Sequence, residues 1–440
     1  MRLSRFAHLL SDNLVWHSLT KRAVELPVEL YSVLVADTLR NEIDPIMLSI
    51  GAVGKELIAS GIIVDDADTD KALLTRIIKA HQNPAIQSLF LMLKTQCNLK
   101  CDYCLLGWDR ADTLLGPVKT MSGATALESI DHFASIVSTN QRSDGYWQAV
   151  TFYGGEPLMN KDVLIGAVDR IDELKVTGLL WPETEIVVNT NGLLVDEDFA
   201  RYAVRNHIEV QVSLDGFKQA HDSHRVDHSG SGSFDRVIEA IRILIAVGAK
   251  VVPMITITDT NIPDLTQFVE WMAADLGITD YMMNLLMSGT GDTSAGYPTR
   301  AANAMYASFH YNLAEYGIYD SCYASKLEAF ESPEIVRPSC GANGRKLTVF
   351  PDGQIHTCQA FDKADVSYVA QLGEFYEGLS NWVEWKNRSR FNNPQCLRCP
   401  MLGSCGAGCA SGAYRKFGSI HAPDPNHCQW LKQTFDLWRG

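Results

Sequence analysis

The chain has 440 residues, of which 46% are hydrophobic and 20% charged, and this composition predicts an ordinary globular protein large enough for two or three domains. Its formal net charge of −14 argues against a general binder of nucleic acids or of anionic membranes. The apolar run from Val237 to Ile257 is broken by charged side chains, so we predict no membrane contact through a spanning helix.

The first predicted unit spans residues 1–82. Met1 to Trp16 lacks the apolar core of a signal peptide, so we expect a cytoplasmic protein. The sequence pattern predicts a β-hairpin over 13–26, helices over 27–40 and 45–60, and a strand over 62–64 that ends in an acidic turn at 65–68. A hairpin with small helices is a winged-helix layout, which could bind DNA or peptide. Nine Lys and Arg against eleven Asp and Glu speak against DNA.

The second predicted unit, residues 83–318, alternates strands and helices. We predict strands near 88–94, 147–153, 185–190, 208–213, 250–257 and 280–285. We predict helices near 122–138, 160–174, 196–206, 234–247, 261–275 and 299–316. Repeated βα units imply an α/β fold with a parallel sheet, whose loops at the carboxyl ends of the strands carry the chemistry.

Three closely spaced cysteines follow the first of these strands. The spacing Cys97-x3-Cys101-x2-Cys104 can hold a four-iron cluster and leave one iron without a protein ligand, whereas iron–sulfur clusters usually have four thiolate ligands. An iron with an open site can chelate a small molecule. The alternatives are a zinc knuckle or three buried thiols.

The string from Cys97 to Cys104, with Tyr103 before the last cysteine, resembles the signature of the radical S-adenosylmethionine (SAM) superfamily. The resemblance implies a partial (β/α)6 TIM-type barrel whose open iron binds SAM. It also implies that the reduced cluster cleaves SAM to a 5′-deoxyadenosyl radical, which removes a hydrogen atom from the substrate. The protein then supplies binding, orientation and exclusion of water.

Polar groups follow the next three predicted strands. By the same resemblance the residues that contact SAM are Gly154, Gly155, Glu156, Asn189, Asn191, Ser213, Arg225 and Tyr103. Glycines allow close backbone approach, and an arginine fork suits the SAM carboxylate. Turns, a strand-end cap and a surface ion pair are the alternative interpretations of these strings. We expect Asp215 and His221 to build the loop rather than to react.

The third predicted unit, residues 319–440, has short apolar runs and many cysteines. We therefore expect it to have little hydrophobic core of its own and to be stabilised by metal clusters. The cysteine order resembles the SPASM domain of radical SAM maturases. The resemblance implies one auxiliary [4Fe–4S] cluster on Cys396, Cys399, Cys405 and Cys428, and another on Cys340, Cys358 and Cys409. For the fourth ligand of the latter we predict Cys322; an open iron is the alternative.

The three units together resemble a radical SAM/SPASM peptide maturase. This implies SAM and three [4Fe–4S] clusters as cofactors, a precursor peptide held by its leader at the N-terminal unit, and an electron donor such as flavodoxin or ferredoxin. We expect an intramolecular crosslink, either a cyclophane C–C bond or a thioether. A sulfatase-maturing enzyme that forms formylglycine and a non-enzymatic iron–sulfur or zinc protein are the alternatives. No general base is assigned.

Overall fold

A computed structural model describes residues 1–11, 13–40, 51–81, 84–106, 118–140, 146–291, 293–338, 340–361 and 364–440. Within these ranges the chain forms a nine-stranded sheet, a three-stranded sheet and a two-stranded sheet. None of the helices seen there combines the length and the apolar character that crossing a bilayer requires.

Among its described residues, the N-terminal part contains the two small sheets and three helices. Its elements are β1 (Arg2–Leu3), β2 (Ala7–Leu9), β3 (Leu14–His17), β4 (Arg22–Glu25), α1 (Val28–Arg40), α2 (Gly51–Ala59), β5 (Ile63–Val64) and α3 (Ala67–His81). The predicted hairpin is present, because β3 pairs with β4 in antiparallel register and β2 adds a third strand. Of the helix predicted over 45–60, residues 45–50 lie outside the described residues.

Helix α3 differs from the prediction, which placed only an acidic turn at 65–68. That turn is where the helix begins: Asp66 Oδ1 accepts hydrogen bonds from the backbone N–H of Thr69 at 3.0 Å and from its hydroxyl at 3.1 Å. Acidic residues are favourable at a helix N-terminus because they satisfy free N–H groups.

Six parallel strands form a continuous run that begins at one edge of the long sheet. They are β6 (Ser88–Lys94), β7 (Ala149–Gly154), β8 (Glu185–Thr190), β9 (Ile208–Ser213), β10 (Lys250–Ile257) and β11 (Met282–Leu285). They lie side by side in chain order, as a (β/α)6 arrangement requires. The prediction of a parallel α/β sheet is therefore confirmed, and all six predicted strands are present.

Helices connect these strands and cover the sheet. They are α4 (Gly123–Val137), α5 (Lys161–Val176), α6 (Glu197–Arg205), α7 (Lys218–His224), α8 (Phe234–Ala246), α9 (Leu265–Leu276) and α10 (Tyr297–Tyr316). Strand residues such as Leu89, Val150 and Val210 pack with helix residues such as Phe133 and Ile241 in one buried core. Helix α7 was not predicted; it lies directly after the fourth parallel strand.

The C-terminal part extends the same sheet. Its elements are α11 (Ser321–Glu331), β12 (Lys346–Val349), β13 (Gln354–His356), α12 (Ala364–Ser367), β14 (Tyr368–Gln371), α13 (Ser380–Lys386), α14 (Ala410–Phe417) and α15 (Pro425–Arg439). Strand β12 is parallel to β6, and β13 and β14 follow as an antiparallel pair. All four residues of β12 are buried, as are Trp382, Trp385 and Trp430. Trp382 and Trp430 lie in the same buried core as the parallel strands, whereas Trp385 belongs to a smaller separate cluster, so this region gains most of its core by sharing that of the long sheet.

The turn of the N-terminal hairpin lies against the cysteine-bearing loop 399–405. The indole N–H of Trp16 donates to the carbonyl of Pro400 at 2.8 Å, and the backbone N–H of Gly403 donates to the carbonyl of Ser18 at 2.8 Å. The ammonium of Lys21 donates to the carbonyl of Ala329 at 2.9 Å. Distant parts of the sequence are therefore joined at this loop.

Candidate active site and cluster-binding loops

The loop with Cys97, Cys101 and Cys104 begins three residues after β6 ends. The backbone N–H of Cys104 donates to the carbonyl of Cys101 at 3.2 Å, which closes a turn. The pKa of the Cys97 thiol is raised to about 11 and that of the Cys101 thiol to about 12; burial is the main cause, and the other cysteines of the trio are among the smaller ones. The three sulfur atoms therefore lie near one another, and a positively charged metal centre would favour their thiolate form.

The glycine pair after β7 packs against this loop. The N–H of Gly155 donates to the carbonyl of Lys94 at 2.7 Å, and the N–H of Glu156 donates to that of Gln96 at 3.1 Å. A Cβ atom on Gly154 would stand 2.5 Å from the Lys94 oxygen, and one on Gly155 would stand 2.8 Å from the Cys97 nitrogen. Only glycine permits this approach, so the close contact that the pair makes here is with the cysteine loop.

Glu156 links the loops after β7 and β8. Its side chain is buried, and its carboxylate accepts hydrogen bonds from the hydroxyl of Thr190 at 2.7 Å and from the backbone N–H groups of Asn191 at 2.8 Å and Leu158 at 3.0 Å. Burial raises the pKa of this carboxyl to about 7, although the three donors oppose the rise. The contacts fit an ionised carboxylate, because all three partners are donors.

Asn191 reaches the cysteine loop directly. Its Nδ2 lies 2.7 Å from Asn98 Oδ1 and 3.5 Å from Cys97 Sγ. Asn189, on β8, instead donates to Gln211 Oε1 on β9 at 3.2 Å. The structure therefore brings Asn191, but not the amide of Asn189, into contact with the cysteine loop.

Arg225 and Tyr103 both contact Asp215, which the sequence predicted only as part of the loop. Both oxygens of the buried Asp215 carboxylate accept from the Arg225 guanidinium, at 2.6 and 3.4 Å, and one also accepts from the Tyr103 hydroxyl. The guanidinium lies over the Tyr103 ring, 5.3 Å from its centroid, and 3.8 Å from Cys101 Sγ. Ser213 ends β9, two residues before this carboxylate.

The ion pair sets the charge state of this cluster of side chains. Burial by itself would raise the pKa of Asp215, but the Arg225 guanidinium holds it below its ordinary value. Burial raises the pKa of Tyr103 well above its usual value, so the phenol stays protonated and donates. A sequence signal for Asp215 existed, since an acidic residue follows the fourth strand and an arginine comes ten residues later.

Two further groups of cysteines form in the C-terminal part. Burial raises the pKa of Cys428 to about 12, with Cys405, Cys396 and Cys399 adding to the rise. Burial likewise raises the pKa of Cys409 to about 12, and there the contributing thiols are Cys340 and Cys358. The cysteines that act on one another in this way are those that the sequence resemblance assigns to each cluster, and the binding of a cluster there stays a prediction.

Cys322 lies elsewhere. Its Sγ is 3.8 Å from Met282 Sδ, and the charged groups that act on it are Asp320, Lys326 and Glu209. Among the described residues, the structure does not bring this thiol together with Cys340, Cys358 and Cys409. The sulfur that lies beside Cys409 is that of Met287, at 2.9 Å.

The cysteines of each group lie near enough to affect one another's pKa, but their sulfur atoms do not converge on one point. Within the ranges that the structure describes, no three His, Cys, Asp or Glu side chains converge closely enough to bind a single metal ion. The donor set of each group, three or four cysteines, fits an iron–sulfur cluster, and a set of four cysteines also fits zinc.

Residues 93–272 match the Radical SAM superfamily. Among curated proteins, the radical SAM cyclopropyl synthase TigE of Paramaledivibacter caminithermalis is 23% identical over 95% of this chain and 90% of its own length. A cysteine-type anaerobic sulfatase-maturating enzyme of Clostridium novyi is 29% identical over 36% of this chain and 41% of its own.

Two solved structures share the fold. Native anSMEcpe with bound AdoMet, at 18% identity, covers 80% of this chain and 96% of its own with a TM-score of 0.64. Streptococcus suis SuiB bound to S-adenosylmethionine, at 16% identity, covers 98% of this chain and 100% of its own with a TM-score of 0.58. The chain therefore carries a radical SAM domain over residues 93–272, within a fold that it shares with these two proteins.

Proposed function

We propose that this protein is a radical SAM enzyme that modifies a ribosomally synthesised precursor peptide by forming an intramolecular crosslink. One observation carries the proposal: the likeness to SuiB, which was also solved with its precursor peptide SuiA bound, extends over 98% of this chain. The likeness to anSMEcpe leaves about a fifth of the chain unmatched, a share as large as residues 1–82. TigE, a cyclopropyl synthase, also matches nearly the full length.

The radical SAM domain would hold its cluster on Cys97, Cys101 and Cys104. When bound, the cluster and SAM supply a radical that removes a hydrogen atom from the substrate. The chain holds the cysteine loop in place through the glycine pair and Asn191. Glu156 and Arg225 place charge beside the loop, where SAM's ammonium and carboxylate groups would need partners.

Two auxiliary clusters would complete the set, one on Cys396, Cys399, Cys405 and Cys428 and one on Cys340, Cys358 and Cys409. The cysteine groups described above support this assignment. We propose an open iron on the latter cluster, because Cys322 lies among other side chains. Such clusters persist in the reducing cytoplasm, where flavodoxin or ferredoxin would supply electrons.

The N-terminal unit would bind the leader of the precursor peptide. Within the described residues β4 pairs only with β3, so its outer edge is available for an added strand. Three of its four residues are exposed and the next helix, α1, exposes Val28, Val33 and Val35. A peptide strand at a free sheet edge gains main-chain hydrogen bonds, and apolar pockets beside it give specificity.

A reconstitution experiment tests the proposal. The anaerobically reconstituted protein should contain about twelve irons, four for each cluster. With reductant, SAM and the short peptides encoded beside the gene, it should release 5′-deoxyadenosine and yield a peptide that has lost two hydrogen atoms. The matched control is Cys97→Ala, which should release none.

An aldehyde-trapping reagent separates this activity from the second candidate, formylglycine formation, which the similarity to sulfatase-maturating enzymes favours. A crosslinked peptide does not react with the reagent, whereas formylglycine does. Trapped aldehyde would overturn the crosslinking proposal, and absence of 5′-deoxyadenosine would overturn both candidates.

A further inference from the structure

Two arginines beside the Cys396, Cys399, Cys405 and Cys428 group are deeply buried. Arg388 and Arg390 each keep only 4% of their surface exposed. Arg390 donates from Nε to the carbonyl of Leu402 at 2.6 Å and from Nη2 to that of Val336 at 2.6 Å. All of its hydrogen bonds in the described structure go to the main chain.

Arg388 is held in the same way. It donates to the carbonyls of Ile420 at 2.5 Å, Ala407 at 2.7 Å and Gly408 at 3.4 Å. The acceptors of the two guanidinium groups therefore include main-chain atoms between Cys399 and Cys405 and between Cys405 and Cys409. Both groups are attached to the loops that carry the cysteines.

Neither guanidinium has a carboxylate partner within the described part of the chain. Removing a charge from water is costly unless an opposite charge compensates, so a buried guanidinium without a carboxylate requires an anion of another kind. The anionic groups that act on Arg390 are the thiolates of Cys405 and Cys396. Lys21, which the N-terminal hairpin places nearby, is another cation that acts on Arg390 and makes the requirement for an anion greater.

We infer that Arg388 and Arg390 are positioning residues that compensate the negative charge of a cluster on Cys396, Cys399, Cys405 and Cys428 and raise its reduction potential. Four thiolates around a four-iron cluster give a net negative centre, which becomes more negative when it gains an electron. Buried positive charge stabilises the reduced form more than the oxidised form, because Coulomb energy grows with charge and is large at low dielectric.

This inference rests on the proposed function, in which the cluster on Cys396, Cys399, Cys405 and Cys428 would accept an electron from the substrate. Closure of a crosslink leaves a substrate radical with one electron and one proton in excess. A cluster with a raised potential accepts the electron in a one-electron reduction, while the proton leaves to solvent or to a base. The arginines therefore favour this cluster as the electron acceptor of the reaction.

The test is a redox titration of the full chain followed by electron paramagnetic resonance. Cys97, Cys101 and Cys104 are replaced by Ala in every sample, so that only the auxiliary clusters give signals. Arg390→Met and Arg388→Met remove the charge and keep similar bulk. Arg398→Met is the matched control, because this arginine immediately precedes Cys399 but is exposed to solvent.

One of the two auxiliary potentials should fall in Arg390→Met, and in Arg388→Met, by at least a tenfold change in the ratio of reduced to oxidised cluster, which is 59 mV for one electron. The other potential and the Arg398→Met control should stay at their parent values. Equal potentials in all three variants would overturn the inference, whereas fewer than about twelve irons in the otherwise unmodified protein would count against the proposed function instead.

If Arg390→Met loses the cluster, its potential cannot be measured, and a second variant then tests the inference. Arg390→Lys keeps the positive charge but not the fork of donors, so it should retain the iron and the parent potential. If the lysine variant loses the cluster as well, the side chain acts through hydrogen-bond geometry rather than charge, and the inference is wrong.

Discussion

Single residues decide how closely the first two loops of the sheet approach. The sequence resemblance predicted that Gly154 and Gly155 contact SAM, and that contact stays a prediction. The structure shows that glycine is required at both positions even without a ligand, because the pair packs against the main chain of the cysteine loop. A glycine motif beside a cofactor can therefore be required by the chain as well as by the ligand.

Gly155→Ala should cost the protein its first cluster. The new Cβ would stand 2.8 Å from the Cys97 nitrogen and closer still to the Gln96 carbonyl, and neither main-chain group can move without displacing the loop. Iron should fall by about four per chain, and 5′-deoxyadenosine should no longer form. Gly166→Ala, in α5 with no atom within 4 Å of the added Cβ, should keep both. Normal iron in Gly155→Ala would contradict this steric account.

Glu156→Gln should lower the free energy of unfolding by about 1–3 kcal/mol, because an amide NH₂ would face one of the donors that the carboxylate accepts. The folded-state pKa of about 7 lies above the ordinary value, so the folded protein binds more protons and the wild type loses stability as pH rises from about 4.5 to 7. Glutamine does not titrate. The stability gap measured by anaerobic urea unfolding should therefore narrow between pH 5 and pH 8. A gap that widens would show that the carboxyl titrates in the opposite sense.

Residue identities were more predictable than residue partnerships. The resemblance to the radical SAM signature indicated Arg225 and Tyr103, because both lie in strings that match it. Their joint partner, Asp215, was predicted only as part of a loop, since a sequence does not show that three side chains from different loops meet in a buried space. The burial that forces these charges to pair exists only after the sheet has formed.

At the scale of elements, the N-terminal hairpin and loop 399–405 depend on each other. Gly403→Ala should separate them, because the added Cβ would overlap the Ser18 carbonyl oxygen and stand 3.2 Å from Ile335 Cδ1. Trypsin cleavage after Lys21 or Arg22 should then become several times faster. Gly123→Ala, whose Cβ would meet no atom within 4 Å, should leave the rate unchanged. Equal cleavage in both variants would show that the contact does not hold the hairpin.

Elements with strong patterns were predicted, and those that depend on distant partners were not. The parallel strands β6 to β10 are apolar runs bounded by turn residues, which is a local signal. Strand β12 has only four residues and begins with Lys346, so its sequence reads as a loop. Its burial depends on strand β6 and on Phe90, whose ring lies 4.3 Å from the Lys346 ammonium.

At the scale of the whole molecule, the long sheet runs across the boundary predicted at 318/319. On one side of β6 lies β7 of the radical SAM domain, and on the other lies β12 of the cysteine-rich part. The predicted units are useful for locating motifs, but the hydrogen-bonded sheet does not divide where the sequence pattern changes.

This shared sheet determines how the chain could be dissected. A fragment that stops before residue 346 would leave the apolar strand Ser88–Lys94 with one unpaired row of main-chain donors and acceptors. An unpaired edge strand of this kind pairs with strands of other molecules and leads to aggregation. The six parallel strands therefore cannot be separated cleanly from the C-terminal part, and shortened versions for crystallography or engineering must retain the strand that covers Ser88–Lys94.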